Sequence, residues 1–127
     1  IFNEEGEISN VIDNSEKCKI YIKIKSKIDD KNVMLTFSVK DFNGIEYCGT
    51  TKYIDEIKKD EEITVEYDQV IPLKPERYTL SLGCVKINNN GETEVYDRLY
   101  DCILFQIVST EGMLGLFKLD SEVVIKK

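Results

Sequence analysis

The segment CKIYIKIKSKI, from Cys18 to Ile28, alternates between apolar and polar residues over most of its length. Its apolar positions are Cys18, Ile20, Ile22, Ile24 and Ile28. Side chains on a β-strand point alternately to its two faces, so a period of two predicts a strand with one buried face. This segment therefore favours a sheet.

The next segment, NVMLTFSVKDF, repeats the alternation and leads into a turn. Its apolar face consists of Val33, Leu35, Phe37 and Val39. The sequence DFNG at positions 41–44 supplies turn residues, and Gly44 suits a positive φ angle. Because IEYCGTT follows directly, the two segments predict a β-hairpin.

Alternation returns in ITVEYDQVI, YTLSLGCVKI and CILFQIV, with the turn sequence NNNG after the second of them. Pro72 and Pro75 interrupt hydrogen-bonded structure and predict a crossover. The final apolar segment, GMLGLFKLDSEVVI, predicts one or two more strands. About seven to nine short strands joined by turns indicate an all-β fold, an antiparallel β-sandwich.

Two segments do not follow the alternation. The charged segment YIDEIKKDEE, at positions 53–62, predicts a loop or one short helical turn. Tyr96, Leu99, Tyr100 and Ile103 are spaced as on one face of a helix, so a helix stays an alternative to a strand there.

Composition narrows the possible functions. The 127 residues fit one domain, and the 17 basic and 24 acidic side chains give a net charge of -7, which disfavours binding to duplex DNA. The chain has no His, which excludes Ser-His-Asp and Cys-His catalysis and every His-containing metal site. Ile and Val together outnumber Leu, which again favours sheet.

The cysteines and the termini bear on cellular location. Cys18, Cys48, Cys84 and Cys102 form no CxxC pair, so we expect no metal site and no cofactor. Free thiols in a reducing compartment are the preferred interpretation, although two disulfides remain possible. We see neither a signal peptide nor a membrane-spanning run. Because the chain begins at Ile1, we expect residues 1–127 to be one domain cut from a longer protein.

Motifs for catalysis are absent: the sequence contains no GxxxxGK[ST], GxSxG, HExxH or GxGxxG. Asp97 and Asp101 could in principle act as the acid and base of a glycoside hydrolase. With 24 acidic residues on a small surface, however, such pairs arise by chance. The sequence therefore predicts a protein that is not an enzyme.

Three groups of residues suggest a binding surface. Tyr21, Tyr53, Tyr96 and Tyr100 lie out of the apolar phase or in expected loops, where their rings can contact sugars, while Tyr47, Tyr67 and Tyr78 fit the core. Asp97, Arg98 and Asp101 offer polar groups for sugar hydroxyls. Lys23 and Lys25 belong to a lysine stripe that either protects a strand edge or contacts an anionic polymer.

Read in order, the motifs resemble one family. They are FSVKDFNG, ITVEY, IPLKPERYTLSLGCV, VYDRLYDCILFQIV and EGMLGLF, and the resemblance as a whole spans Glu7 to Phe117. This series resembles the C-terminal domain of the Wzt-type ATP-binding subunits of ABC transporters that export O-antigen and related cell-envelope polysaccharides.

The resemblance implies a β-sandwich of immunoglobulin-like topology that binds the exported glycan in the cytoplasm, at the inner face of the cell membrane. It also implies a homodimer formed through the C-terminal strand, which we expect to be exchanged, and partners in the ATP-binding and membrane subunits of the transporter. The N-terminal ATP-binding domain would belong to the longer chain.

We therefore expect noncatalytic recognition of a cell-envelope polysaccharide, O-antigen-like or teichoic-acid-like. The alternative is an immunoglobulin-like protein-interaction or adhesin domain of the cell surface, and a hydrolase is the third possibility.

Overall fold

The computed structural model describes residues 1–127 and contains seven β-strands and no helix. The strands are β1 (Val11–Asp13), β2 (Lys17–Lys25), β3 (Asp30–Asp41), β4 (Glu46–Ile57), β5 (Glu62–Val70), β6 (Glu76–Ile87) and β7 (Thr93–Val108). No helix long and apolar enough to cross a membrane is present. The all-β prediction is confirmed.

The strands form two sheets. The larger has the order β1-β7-β6-β3-β4, and the smaller pairs β2 with β5. All pairings are antiparallel except that of β1 with β7, in which Val11 lies opposite Gln106. The short parallel strand at the edge of the larger sheet joins the N-terminal part of the chain to its last strand.

The core lies between the two sheets and uses the alternating residues that the sequence indicates. From the larger sheet come Leu35, Phe37, Val39, Tyr78, Leu80, Phe105 and Ile107, and from the smaller Cys18, Ile20 and Ile22. Aromatic edges pack against one another here, with the rings of Phe37 and Tyr67 centred 4.9 Å apart at 89°. Tyr47 and Tyr67 pack against this core, and Tyr78 is fully buried within it.

The predicted hairpin joins β3 to β4. The Asp41 carboxylate accepts hydrogen bonds from the backbone N–H groups of Asn43 and Ile45, each at 2.9 Å, and Gly44 has a φ of 81°. Only glycine adopts that conformation without steric cost, so the DFNG sequence accounts for the turn.

The C-terminal segment differs from the prediction, because residues 109–127 contain no strand. A single bridge pairs Phe117 with Leu73, supported by hydrogen bonds from Lys74 N to Leu116 O and from Lys118 N to Pro72 O. Pro72 and Pro75 have no N–H to donate, which stops a ladder from growing there. Leu119 and residues 123–125 stay exposed.

The charged segment at 53–62 is also different from the prediction of a loop or helical turn. β4 continues through it to Ile57, opposite Asp30, and only the tight turn before β5 is irregular. β3 offers backbone partners as far as Ile57, and pairing with them outweighs the weak strand pattern of the charged side chains.

The helical alternative for positions 96–103 is wrong, because these residues belong to β7. Two register irregularities in the pairing of β6 with β7 displace side chains from strict alternation. An extra residue in a strand moves the following side chains to the other face, which produces the helix-like spacing.

Candidate functional site

A polar groove of about 480 Å³ runs across the outer face of the larger sheet, the face turned away from the core. Its middle is lined by short side chains or none: Thr36, Ser38, Gly49, Thr51, Ser81 and Gly83. Longer side chains border it, namely Met34, Lys40, Glu46, Arg98 and Tyr100. Short residues between long ones leave a trough on an otherwise even sheet surface.

The two glycines in the groove are required by packing. A Cβ atom at Gly83 would lie 2.7 Å from Thr36 Oγ1, and one at Gly49 would lie 2.6 Å from the carbonyl oxygen of Phe37. Both distances are below van der Waals contact. Any larger residue would therefore disturb the floor of the groove as well as fill it.

A β-bulge in β7 shapes one wall of the groove. Leu80 lies opposite Ile103 and Leu82 opposite Leu99, so the three residues 100–102 face a single partner, Ser81. Asp101 has a φ of 50°, which is uncommon for a residue with a side chain. Bulges often redirect side chains next to functional sites. This bulge turns the side chains of Tyr100 and Asp101 away from the directions that regular alternation along β7 would give them.

Hydrogen bonds hold the bulge in place. The Asp101 N–H donates to Ser81 Oγ at 2.9 Å, and Thr79 Oγ1 donates to Asp101 Oδ1 at 2.7 Å. The Cys102 thiol donates to the carbonyl oxygen of Leu80 at 3.1 Å. The Asp101 carboxylate is thus anchored beside the groove.

The Tyr100 ring is exposed but fixed by two cations. Arg98 Nη1 donates to the Tyr100 hydroxyl at 3.2 Å, and Lys40 Nζ lies 5.3 Å from the centre of the ring. A cation over the ring adds an attraction of about 0.5–1 kcal/mol at exposed sites. These contacts place an aromatic surface, two positive charges and a hydroxyl together at the groove.

Tyr53 lies on the same sheet face, directly opposite Met34, and is 59% exposed. It does not line the groove. Among the residues predicted from the sequence, Arg98 and Tyr100 line it, while Asp101 stands beside it and Tyr53 farther along β4.

Tyr96 and Asp97 lie elsewhere, at the second irregularity of β7. The Tyr96 hydroxyl donates to the Asp30 carboxylate, which also forms an ion pair with Lys86. The Asp30 side chain is 2% exposed, and its burial alone would raise its pKa. The hydrogen bonds from Lys86, Tyr96 and the Lys31 N–H outweigh burial, so the pKa of Asp30 is lowered.

Tyr21 is separated from the groove by the whole sandwich, because it lies on the outer face of the β2-β5 sheet. Its ring packs edge-on against Phe2 at 5.3 Å, and its hydroxyl donates to Glu66 Oε1 at 3.3 Å. Lys23 and Lys25 alternate with Ile22 and Ile24 and so share the outer face of β2 with Tyr21, and their part of the strand borders a different opening, between the sheets. Tyr96 and Asp97 line this same opening, so the predicted residues fall into three places rather than one site.

Sequence reasoning missed most of the groove. Thr36, Ser38 and Lys40 alternate with the apolar positions of β3, and Gly49 and Gly83 interrupt two strands. A glycine inside a strand marks a place where a backbone or ligand approaches closely, and that signal was available in the sequence.

Neither disulfides nor a metal cluster are formed. All four cysteines are free thiols, and burial raises the pKa of each. No group of three or more Cys, Asp or Glu side chains is arranged to hold a metal ion.

The strand order, the two unequal sheets and the parallel pairing of β1 with β7 define an immunoglobulin-like β-sandwich that carries a groove on one sheet. The chain belongs to the Wzt C-terminal domain family, whose family model matches residues 1–119. The resemblance drawn from the sequence motifs is thereby confirmed.

A solved structure described as the crystal structure of the C-terminal domain of Wzt has the same fold. The TM-score is 0.78 at 18% sequence identity, and the match covers 90% of this chain and 72% of that chain. No curated protein matches the chain. Membership of the family implies a role in polysaccharide export by an ABC transporter.

Proposed function

We propose that this domain recognises a cell-envelope polysaccharide, O-antigen-like or teichoic-acid-like, for export by an ABC transporter, without cleaving it. The observation that carries the proposal is the groove on the outer face of the larger sheet, in a chain of this family. The domain would work in the cytoplasm, joined to an ATP-binding domain that docks on the membrane subunit.

The chemistry of the groove suits a sugar chain. Sugars present C–H faces that pack on aromatic rings and hydroxyls that need donors and acceptors. Tyr100 offers the ring, Thr36, Ser38 and Thr51 offer hydroxyls, and Asp101 offers a carboxylate at the wall. The groove is shallow and runs along the sheet surface, so an extended chain could lie in it.

The charge at the groove adds selectivity. Lys40 Nζ lies over the Tyr100 ring and Arg98 donates to the Tyr100 hydroxyl, on a protein whose net charge is -7. Because Glu46 and Asp101 place negative charge elsewhere at the groove, these two cations favour a phosphate or carboxylate of the sugar only beside Tyr100.

The test begins with a glycan array that carries purified envelope polysaccharides, followed by calorimetry on the glycan that binds. Tyr100→Ala should weaken binding about fivefold, since an aromatic contact contributes about 1 kcal/mol. Tyr21→Ala is the matched control, because it removes an exposed tyrosine from the opposite side of the sandwich. Equal affinity of both variants and wild type would refute the groove as the binding site.

Absence of catalysis is tested on the same glycan. Incubation of the protein with the bound polysaccharide should produce no new reducing ends. A steady release of reducing ends that Asp101→Asn abolishes would make the domain a hydrolase.

We also propose a homodimer through the C-terminal segment. Leu119, Val123, Val124 and Ile125 are each at least 75% exposed, which is unfavourable for an isolated apolar tail in water. Exchange of this tail between two copies would cover it. Light scattering should give a dimer mass for residues 1–127 and a monomer mass after removal of residues 120–127. A wild-type monomer at about tens of micromolar, the concentration range that separates weak from stable dimers, would refute the dimer.

A further inference from the structure

A second opening, separate from the groove, lies between the two sheets where β2 ends and β3 begins. Its volume is about 530 Å³, within the range of small-molecule sites. The inner surface is apolar and is formed by Ile24, Ile28, Val33 and Ile57. We call this opening the inter-sheet cleft.

The cleft exists because the smaller sheet is too narrow to cover the larger one. β2 and β5 leave the N-terminal half of β7 without a facing strand, so Leu99 is 50% exposed although it points to the inner side. Ile28, at the cleft, is 57% exposed. An apolar ligand that displaces water from apolar surface in a concavity lowers the free energy of the system.

The rim of the cleft is basic. Lys23 and Lys25 border it from the outer face of β2 and Lys27 from the segment that follows, and no carboxylate lies within 4.0 Å of their amino groups. Lys19, on the same strand, differs because it is paired with Glu66 at 2.7 Å. Asp97 is the acidic residue of the lining that lies near the cleft mouth, so the rim carries a local positive excess on an acidic protein.

We propose that the inter-sheet cleft binds a phosphorylated amphiphile, a hydrocarbon chain ending in a phosphate, with the chain against the isoleucines and the phosphate at the lysines. A neutral apolar ligand would leave the lysines unused, and a free sugar would leave the apolar lining wet. A phosphate monoester carries a charge between about -1.5 and -2 at neutral pH, which suits several lysines better than one carboxylate would.

This cleft and the polysaccharide groove lie on opposite faces of the same strands. Asp97 borders the cleft and its neighbour Arg98 borders the groove, while on β6 Cys84 faces the cleft and Gly83 the groove. The inference is independent of the proposed function, because no groove residue takes part in it.

The test uses decyl phosphate below its micelle concentration, with calorimetry for affinity and amide chemical shifts for location. Wild type should bind it, with the largest shifts at positions 23–28 and 96–97. Decanol and inorganic phosphate, each offering half of the probe, should bind at least tenfold more weakly, because about 1.4 kcal/mol per half already gives that factor.

The decisive variant replaces Lys23, Lys25 and Lys27 by Gln. It should weaken decyl phosphate binding about tenfold, from the sum of several exposed charge contacts. The matched control replaces Lys17, Lys52 and Lys126 by Gln. It changes the net charge by the same amount but at positions away from the cleft, so it should bind like wild type. All six positions are on the surface, so both triple variants should fold, as a circular dichroism spectrum would check.

Three results would overturn the proposal: no binding by wild type, equal affinity of the two triple variants, or decanol binding as tightly as decyl phosphate. Displacement of the probe by a peptide of residues 119–127 would do so as well, because it would assign the cleft to the tail of a second copy. Polysaccharide binding that persists in the cleft variant would leave the groove proposal standing.

Discussion

The two faces of the larger sheet are built from the same strands and follow opposite rules. On β3, Leu35 and Phe37 point inward and are almost fully buried, whereas Thr36 and Ser38 point outward into the groove. The inner face is filled by large apolar side chains, and the outer face is kept open by small ones. One face stabilises the fold, and the other leaves room for a ligand.

The largest expected effect separates neighbours on one strand. Leu35→Ala should lower the free energy of unfolding by about 3 kcal/mol, because it leaves a cavity in the core. Thr36→Ala, one position away on the outer face, should change it by about 0.5 kcal/mol or less. Urea unfolding of both variants measures the difference, and similar losses would show that the outer face also supports the fold.

Asp30 is the polar exception on the buried side of β3. Asp30→Ala removes the partner of Lys86 and of the Tyr96 hydroxyl, so it should cost about 2 kcal/mol, in the range for hydrogen bonds to charged groups. Urea unfolding at neutral pH gives the value, and a loss below about 0.5 kcal/mol would mean that the ion pair contributes little.

The same residue predicts a pH dependence. The pKa of Asp30 is lowered in the folded state from 3.8, so its contribution is complete above that value and is lost as the pH falls toward the folded pKa. Unfolding midpoints from about pH 7 to pH 3 should fall less steeply in Asp30→Ala than in wild type. Asp13 and Asp41 also have lowered pKa values, so some acid dependence should remain.

Gly83→Ala tests how tightly the groove floor is packed. The new methyl group would lie 2.7 Å from Thr36 Oγ1, so the variant should lose about 1–2 kcal/mol by overpacking. Adding Thr36→Ala should restore most of the loss, because it removes the clashing atom. Thermal unfolding of the single and double variants provides the cycle, and strictly additive effects would contradict the close contact.

The smallest expected effect is that of Tyr96→Phe, about 1 kcal/mol, from loss of the hydroxyl that donates to Asp30. Tyr53→Phe is the control, since the Tyr53 hydroxyl has no hydrogen-bond partner in the protein, and it should leave stability unchanged. Equal melting temperatures for the two variants would mean that the Asp30 contact is not stabilising.

The fold was predictable to the extent that burial follows alternation. Positions 18–24 and 33–39 revealed two strands and their buried faces, and the DFNG turn revealed how β3 connects to β4. The prediction of C-terminal strands was wrong. An apolar segment forms a strand only where unpaired backbone groups are available, and the proline-containing segment opposite residues 116–118 offers few such groups.

The candidate site was less predictable than the fold. The sequence pointed to Tyr100 and Arg98, which line the groove, because aromatic and charged residues out of the apolar phase are conspicuous. Tyr96 and Tyr21 looked the same in sequence, but their hydroxyls bind carboxylates of this chain instead. Which face each residue of β7 occupies depends on bulges, and those follow from the pairing with β6 rather than from local residue type.

The pairing of β1 with β7 has a consequence for how the protein is made. Val11 pairs with Gln106, so β1 cannot pair with β7 until the residues of β7 have left the ribosome. The β3-β4 hairpin, whose partners are close in sequence, can form much earlier. During synthesis β1 therefore stays unpaired until β7 emerges, and a pause within β7 would prolong the period in which β1 is open to aggregation.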